Sequence, residues 1–422
     1  MEFVTLTEKE FKDFQSKHEL ANFFQTVETG KLRETYGAKV HYLGVKEKNK
    51  IIAGAMFTDT KSMFGMRRYY APQGFLIDYD NKELVKFYTD NLKKYAKEHK
   101  CMFIRLDPNV IYRLRDVNGD LYPDDKPNDE VINYLKSLGY KHFGFTKDYR
   151  FTLSRWNYRV KIDKPYEELK QTFSKSTRKN IDSTYRNGVS IRIGTKDDVK
   201  TLTELLKATA DRKHFLSRDE EYYNRMYDCC GDLIRIYIAH IDFKEYLRVN
   251  KEDLEAEQKN NDEIKEKMTH DMVGNKLTNK LETSNKLIEK YNAQIKEAED
   301  YLKEYPDGKD VGALLSVKSG KEYITLVSGI LGDFKKFTPK YAMYNQHILD
   351  AYDFKMEYVN FFGISGDFSK DNPVYGVYEF KKGFNGEVVE MVGEFTLPVS
   401  FKYYLYNMFR HLKIAYRNVK GE

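Results

Sequence analysis

The chain has 422 residues, too many for one hydrophobic core, and its length favours two or three domains. Hydrophobic residues make up 41% and aromatic residues 15%, including 34 Tyr and 27 Phe, which excludes general disorder. A formal net charge of +6 excludes a histone-like polycation and is compatible with an anionic partner (RNA, a nucleotide diphosphate or an acidic membrane surface) without selecting one.

No apolar run approaches the roughly 20 residues that cross a bilayer, and the opening MEFVTLTEKEF lacks the apolar core of a signal peptide. Cys101, Cys229 and Cys230 offer no disulfide framework, so a cytoplasmic location is expected.

Taken in order, Val40–Val45 and Ile51–Phe57 read as paired strands across the polar turn KEKNK, and Tyr69–Ile77 as a further extended stretch. From Asn81 to His99 the apolar residues Leu84, Val85, Tyr88, Leu92 and Ala96 recur at helical spacing. Cys101–Leu106 is a buried strand ending in Asp107-Pro108, and Asp129–Leu138 is a helix. A second part loosely repeats this order. Its elements are a helix at Tyr166–Gly188, a strand at Val189–Ile193, helices at Lys196–Arg212 and Glu220–Tyr227, and a strand at Leu233–Ile241. After an interruption come strands at Gly312–Lys318 and Tyr323–Ile330, a helix at Tyr341–Tyr352 and a strand at Tyr358–Phe362. A basic amphipathic helix at Tyr403–Arg417 ends the chain.

The interruption is a helical hairpin. Its second arm places Leu277, Leu281, Ser284, Ile288, Tyr291, Ile295, Ala298 and Leu302 at alternating steps of four and three, a seven-residue repeat. The first arm follows through Leu247, Asn250, Leu254, Glu257, Asn261, Ile264 and Met268, and Gly274 and Asn275 supply the reversal. Short arms and a tight turn favour an intramolecular antiparallel pair, projecting on the order of 40 Å, over a dimerisation coil. The fold class expected is mixed α/β (α+β): two modules with the coiled-coil hairpin inserted into the second. The boundaries fall at 1–153, 154–243, 244–305 for the arm, and 306–422.

Phosphate loops, GxGxxG turns, HExxH, paired CxxC and GxSxG motifs are absent, and no metal is expected. Four segments carry possible chemistry. In Tyr358–Asn385, Gly363 and Gly366 either admit a ligand to the backbone or simply turn, and Lys381 and Lys382 stand between Phe380 and Phe384, as an anion anchor or as a surface lysine pair beside a strand. In Ala210–Tyr227, Arg218 and Tyr222 share a helix face and can present a guanidinium and a hydroxyl to phosphate, unless Arg218 pairs with Glu220 or Glu221. Asp107 sits at a strand end, as a functional carboxylate or an Asp-Pro turn, and Ser174–Asn180 is a basic helix start.

The order of these segments resembles the FemABX family of tRNA-dependent peptidoglycan interpeptide-bridge aminoacyltransferases. The segments are FFQT (23–26), YAPQGFLIDY (70–79), LDP (106–108), SKSTRKN (174–180), RDEEYY (218–223), the arm, FFGISGDF (361–368), VYGVYEFKKGFN (374–385) and VGEF (392–395). The arm makes the chain similar to the FemA, FemB, MurM and MurN type. The resemblance implies two GNAT-like acyltransferase modules that use aminoacyl-tRNA as co-substrate and no cofactor. The acceptor it implies is a stem-peptide or bridge amine of a lipid-linked or UDP-linked peptidoglycan precursor, with Gly, Ala or Ser transferred.

By the same resemblance Lys381 and Asp107 are catalytic. Arg218 and Tyr222 hold the precursor's phosphates, Lys31 or Arg33 adds a basic contact, and Gly363, Gly366 and Phe384 border the substrate. A homologous Fem-type partner, a homodimer, or a peripheral contact with the inner face of the plasma membrane is compatible with it. Two departures stand out: Gln73 and Phe75 replace the family's arginine and proline, and aliphatic Leu326 and Val327 replace a frequent tyrosine.

Overall fold

The computed structural model describes residues 1–147, 153–270 and 275–410. Its strands, in chain order, are β1 (Glu2–Thr5), β2 (Lys39–Glu47), β3 (Lys50–Lys61), β4 (Arg67–Gln73), β5 (Cys101–Pro108), β6 (Ile111–Arg115), β7 (Lys141–His142) and β8 (Trp156–Lys161). They continue with β9 (Val189–Gly194), β10 (Ile234–Ile241), β11 (Lys309–Ser319), β12 (Glu322–Ile330), β13 (Tyr358–Gly363), β14 (Glu387–Met391) and β15 (Phe395–Pro398). They form a seven-stranded sheet, β1-β2-β3-β4-β5-β15-β7, and an eight-stranded sheet, β6-β14-β8-β13-β12-β11-β10-β9.

Each sheet contains one parallel pair, β4–β5 and β12–β13, joined in both cases by one long helix, Lys82–Glu98 or Pro339–Asp353. Two similar mixed α/β modules are therefore visible in the pairing itself. The sheets do not divide at residue 153. β6 from the first half pairs with β14 of the second sheet, and β15 near the carboxy end pairs with β5 of the first. Short edge strands of this kind carry too little periodicity to announce their partner. The wedge between the modules is FFQT. Phe23 and Phe24 join a core with Leu202, Leu205, Ala313 and Ile324, and Phe23 N–H donates to Ser319 Oγ at 2.9 Å. Buried Gln25 is fully used, donating to Met56 O and Pro72 O and accepting from Met56 N–H.

The arm has the expected form. Helices Phe243–His270 and Asn275–Glu304 run antiparallel: Phe243 stacks on Tyr301 at the base (4.7 Å), and farther out Asn261 donates to Ser284 Oγ (2.9 Å) and Asn285 Oδ1 (2.8 Å). Every seam position named above is buried or half-buried. Tyr246, Phe334 and Phe337 close an aromatic socket around the base, anchoring the arm to the second module. Asn275 opens the second helix, and Gly274 lies outside the described residues.

Two expectations change. Tyr166–Gly188 is two helices, Tyr166–Thr172 and Lys175–Arg186, because Ser174 takes extended dihedrals and caps Thr177 N–H with its hydroxyl. Lys381 is not part of a surface lysine pair beside a strand: it is buried on a helix, Tyr375–Lys382. The last helix is described over 402–410, and the remainder of the expected Tyr403–Arg417 helix lies outside the described residues. No described helix is long and apolar enough to cross a membrane.

Candidate active site

Asp107 lies at the carboxyl end of β5, and helix Tyr375–Lys382 brings Lys381 Nζ to the carboxyl end of β13, the equivalent strand of the second parallel pair. Asp107 is the penultimate residue of β5. Its Oδ1 accepts from Gln73 N–H at 3.0 Å and its Oδ2 from Tyr70 O–H at 3.1 Å. Burial pushes its carboxyl up to about 7, with the nearby Glu394 adding to the shift; the Gln73 and Tyr70 hydrogen bonds and Arg105 only partly offset this. Asp107 lines a cavity of about 310 Å³ together with Gln73, Arg105, Ser154, Arg155 and Arg410. A larger, open depression of about 520 Å³ beside Ile111–Leu114 contains none of the candidate residues.

Lys381 lies inside the second module. Its Nζ donates to Gly363 O at 2.7 Å and to Phe362 O at 3.1 Å, the carbonyls that end β13. Burial, and then the neighbouring Lys340 cation, hold its ammonium well below the usual lysine range. The FKKGF turn is fixed from below by the SKSTRKN helix: Ser174 N–H donates to Gly383 O at 2.9 Å, and a Cβ on Gly383 would meet Thr177 Oγ1 at 2.2 Å. This basic helix start therefore supports the lysine helix.

One segment links the two residues. Asn22 Nδ2 donates to Gln73 O at 3.1 Å on the Asp107 side, and Phe24 stacks on Phe362 (6.2 Å, 21°) on the Lys381 side. Asp107 and Lys381 thus flank residues 22–25, which also join the modules.

The anion-binding candidates gather elsewhere on the surface. Helices Val27–Glu34 and Glu220–Cys230 pack together, and Tyr36 lies 6.0 Å from Tyr222. Arg218 is exposed with its guanidinium over the Tyr222 ring at 5.0 Å. It does not pair with Glu221, which is held by Arg225, or cap the helix, which is Asp219's role. Lys31 is exposed and contacts Glu8 at 3.2 Å, and Arg33 is half-buried on the same short helix.

Two candidates have packing roles. Phe384 is fully buried among Phe173, Phe361 and Phe380, because a large ring beside a helix end fills the core before it can border a substrate. Gly366 lies beneath Trp156, where a Cβ would approach within 2.3 Å of the indole. Gly363 contributes its carbonyl to Lys381.

Sequence reasoning overlooked Lys340, which follows Pro339 at a helix start and places its Nζ 3.7 Å over Phe380. Burial and Lys213 lower its ammonium to about 8. It also overlooked Arg155. That guanidinium is buried against Phe145 and Trp156 and paired with Glu390 at 2.5 Å. A lysine directly after a helix-starting proline, and an arginine beside the lone tryptophan, are the signals available.

A model of the FemAB family matches residues 6–411. Aminoacyltransferase FemB of Staphylococcus epidermidis is 31% identical over 414 residues, spanning 96% of this chain and 97% of that protein. Aminoacyltransferase FemA of the same species is 28% identical over 416 residues, spanning 98% and 99%. Among solved structures, FemX superposes with a TM-score of 0.76 at 24% identity over 97% of this chain and 99% of that one, a likeness of fold. The chain belongs to the FemAB family, and its enzyme class is that of an aminoacyltransferase.

Proposed function

We propose that this aminoacyltransferase moves Gly, Ala or Ser from aminoacyl-tRNA to the amino group of a peptidoglycan precursor, on its stem peptide or growing interpeptide bridge. The observation that carries the reading is the pair of polarised groups at matching strand ends, Asp107 and Lys381, in a chain of this family. The ester joining an amino acid to tRNA is already activated, so the reaction draws on no further cofactor.

The acceptor nitrogen attacks the ester carbonyl, a C–N bond forms, and the carbonyl electrons move to oxygen. The nitrogen loses a proton, the oxyanion's electrons re-form the carbonyl as the ester C–O bond breaks, and the ribose oxygen departs and is protonated. Asp107, with its carboxyl near 7, exists partly as carboxylate at neutral pH and is suited to accept the amine proton. Lys381 supplies positive charge for the oxyanion or the departing ribose oxygen from a dry site, where that charge counts most. Arg218, Tyr222, Lys31 and Arg33 are the groups for the precursor's phosphates. An acceptor of this class fits a reaction in the cytoplasm, at the inner face of the plasma membrane.

The test is transfer of radiolabelled Gly, Ala or Ser from charged tRNA to lysine-containing precursors, with and without RNase. RNase-sensitive incorporation supports the reading and names the donor. A folded protein that transfers nothing to soluble or lipid-linked acceptors overturns it in favour of an RNA-binding or scaffolding role.

A further inference from the structure

The last described helix, 402–410, is apolar on two sides. Its inner side, Tyr403 and Tyr406, packs on Phe103 at 5.5 and 5.4 Å. Phe401 just before it, with Leu405, Met408 and Phe409, forms a second stripe at helical spacing, and all four face solvent; Phe401 is 72% exposed. The β3–β4 hairpin tip extends this stripe. Met63 and Phe64 are exposed there, and Phe64 meets Phe409 at 6.2 Å between ring centroids. Phe64 also takes left-handed dihedrals (φ 59°, ψ 27°), a conformation a bulky residue rarely adopts. An apolar surface assembled from two separate segments, one of them strained, is more than scattered exposure.

Its two segments carry charge of one sign only. Neither 61–68 nor 400–410 contains an acidic residue. Arg67 is neutralised by Asp59 at 2.5 Å, but Lys61, Arg68, Lys402 and Arg410 have no carboxylate partner among the described residues. Aromatic and aliphatic side chains interspersed with these cations match the chemistry of an anionic lipid surface, in which the rings enter the acyl boundary and the cations stay at the headgroups. The same helix ends in Arg410, which lines the Asp107 cavity.

We propose that the hairpin tip at 62–66 and the outer face of helix 402–410 form a docking surface for anionic membrane lipid. Docking there holds the mouth of the Asp107 cavity against the headgroup layer, so that a lipid-linked acceptor reaches it from the bilayer. This rests on the transfer reaction proposed above.

The test is co-sedimentation of the full chain with vesicles of phosphatidylglycerol and phosphatidylcholine, compared with phosphatidylcholine alone, at low and high salt. Binding to the anionic vesicles, weakening as salt rises, is expected. The Phe64→Glu/Phe409→Glu double variant, changed only at exposed positions and checked for an unaltered Tm, should bind about tenfold or more weakly. Absence of vesicle binding by the unaltered chain, or equal binding by the variant, overturns the proposal. So does a concentration-dependent dimer that the variant breaks while vesicles are ignored, because the patch then covers a second copy. Parallel transfer to a water-soluble, nucleotide-linked acceptor separates the two readings. Vesicle binding without transfer overturns the reaction and leaves the docking surface standing; transfer by both chains without vesicle binding overturns docking alone.

Discussion

Asp107→Asn should make the protein more stable above neutral pH. An ordinary aspartate loses its proton near 3.8, whereas Asp107 keeps it to about 7. Between those values the folded chain holds a proton that the unfolded chain has released. Stability linked to this group is therefore complete below about pH 4 and is lost as pH rises through about 7. At 1.36 kcal/mol per pH unit, the loss has a ceiling of about 4 kcal/mol. Asp107 is half-buried on a cavity, so water screens part of the charge, and about 2 kcal/mol is the expected size. Asparagine keeps the Gln73 N–H contact through its own oxygen, and the Tyr70 hydroxyl can turn to accept from the new amide. Thermal unfolding of both chains across pH 4 to 8.5 should show equal Tm at the acid end and a gain of a few degrees for the variant at the alkaline end. A gain independent of pH, or a variant less stable at pH 8, would refute the claim that Asp107 is held neutral. Transfer should fall in the same variant, and the rising limb of its pH profile near 7 should disappear.

Lys381→Met should abolish transfer with little change in Tm, since losing two hydrogen bonds to Phe362 and Gly363 is offset by no longer burying a cation; near-normal turnover would remove Lys381 from the mechanism. Lys340→Met removes the cation that adds to the burial-driven lowering of Lys381, so the pH at which activity is lost on the alkaline side should move upward, read from kcat against pH. Arg218→Ala should raise KM for the acceptor roughly tenfold or more with kcat nearly unchanged, as expected for a phosphate contact that does not touch the reacting atoms. Asn261→Ala should cost about 1–2 kcal/mol and expose the arm to proteolysis, because Ser284 and Asn285 lose their shared donor.

The features legible in the sequence were those whose cause is local. The arm's seam needs only its period, and the helix at Lys82–Glu98 only its apolar face. The strand ending in Asp107 was readable because Cys101–Leu106 is apolar and bounded by proline. What failed depends on distant partners. Ser174 breaks a helix that periodicity would continue, because Gly383, more than 200 positions away, accepts from its backbone N–H. β6 and β15 join sheets on the far side of the expected boundary. Phe384 and Gly366 stand within the right segment, but tertiary packing decides which residue of a segment faces a ligand. The match of FFQT to a family identified it without revealing that Gln25 is fully occupied by backbone.

The two modules contribute opposite adjustments to one proton balance. Near neutral pH an ordinary carboxylate is too weak a base for an ammonium acceptor, and an ordinary lysine gives up its proton reluctantly. The first module raises its carboxyl by burial at the end of β5, and the second lowers its ammonium by burial at the end of β13 beside Lys340. The shifts bring the two affinities toward each other and toward working pH, where a base that takes the amine's proton and a cation that serves the leaving oxygen are both effective. Each shift is partly opposed by a backbone cradle: Gln73 N–H favours the Asp107 carboxylate, and the Phe362 and Gly363 carbonyls favour the Lys381 ammonium. Residues 22–25 touch both cradles, so a change there, far from either reacting group, should disturb both ends of the pH profile together.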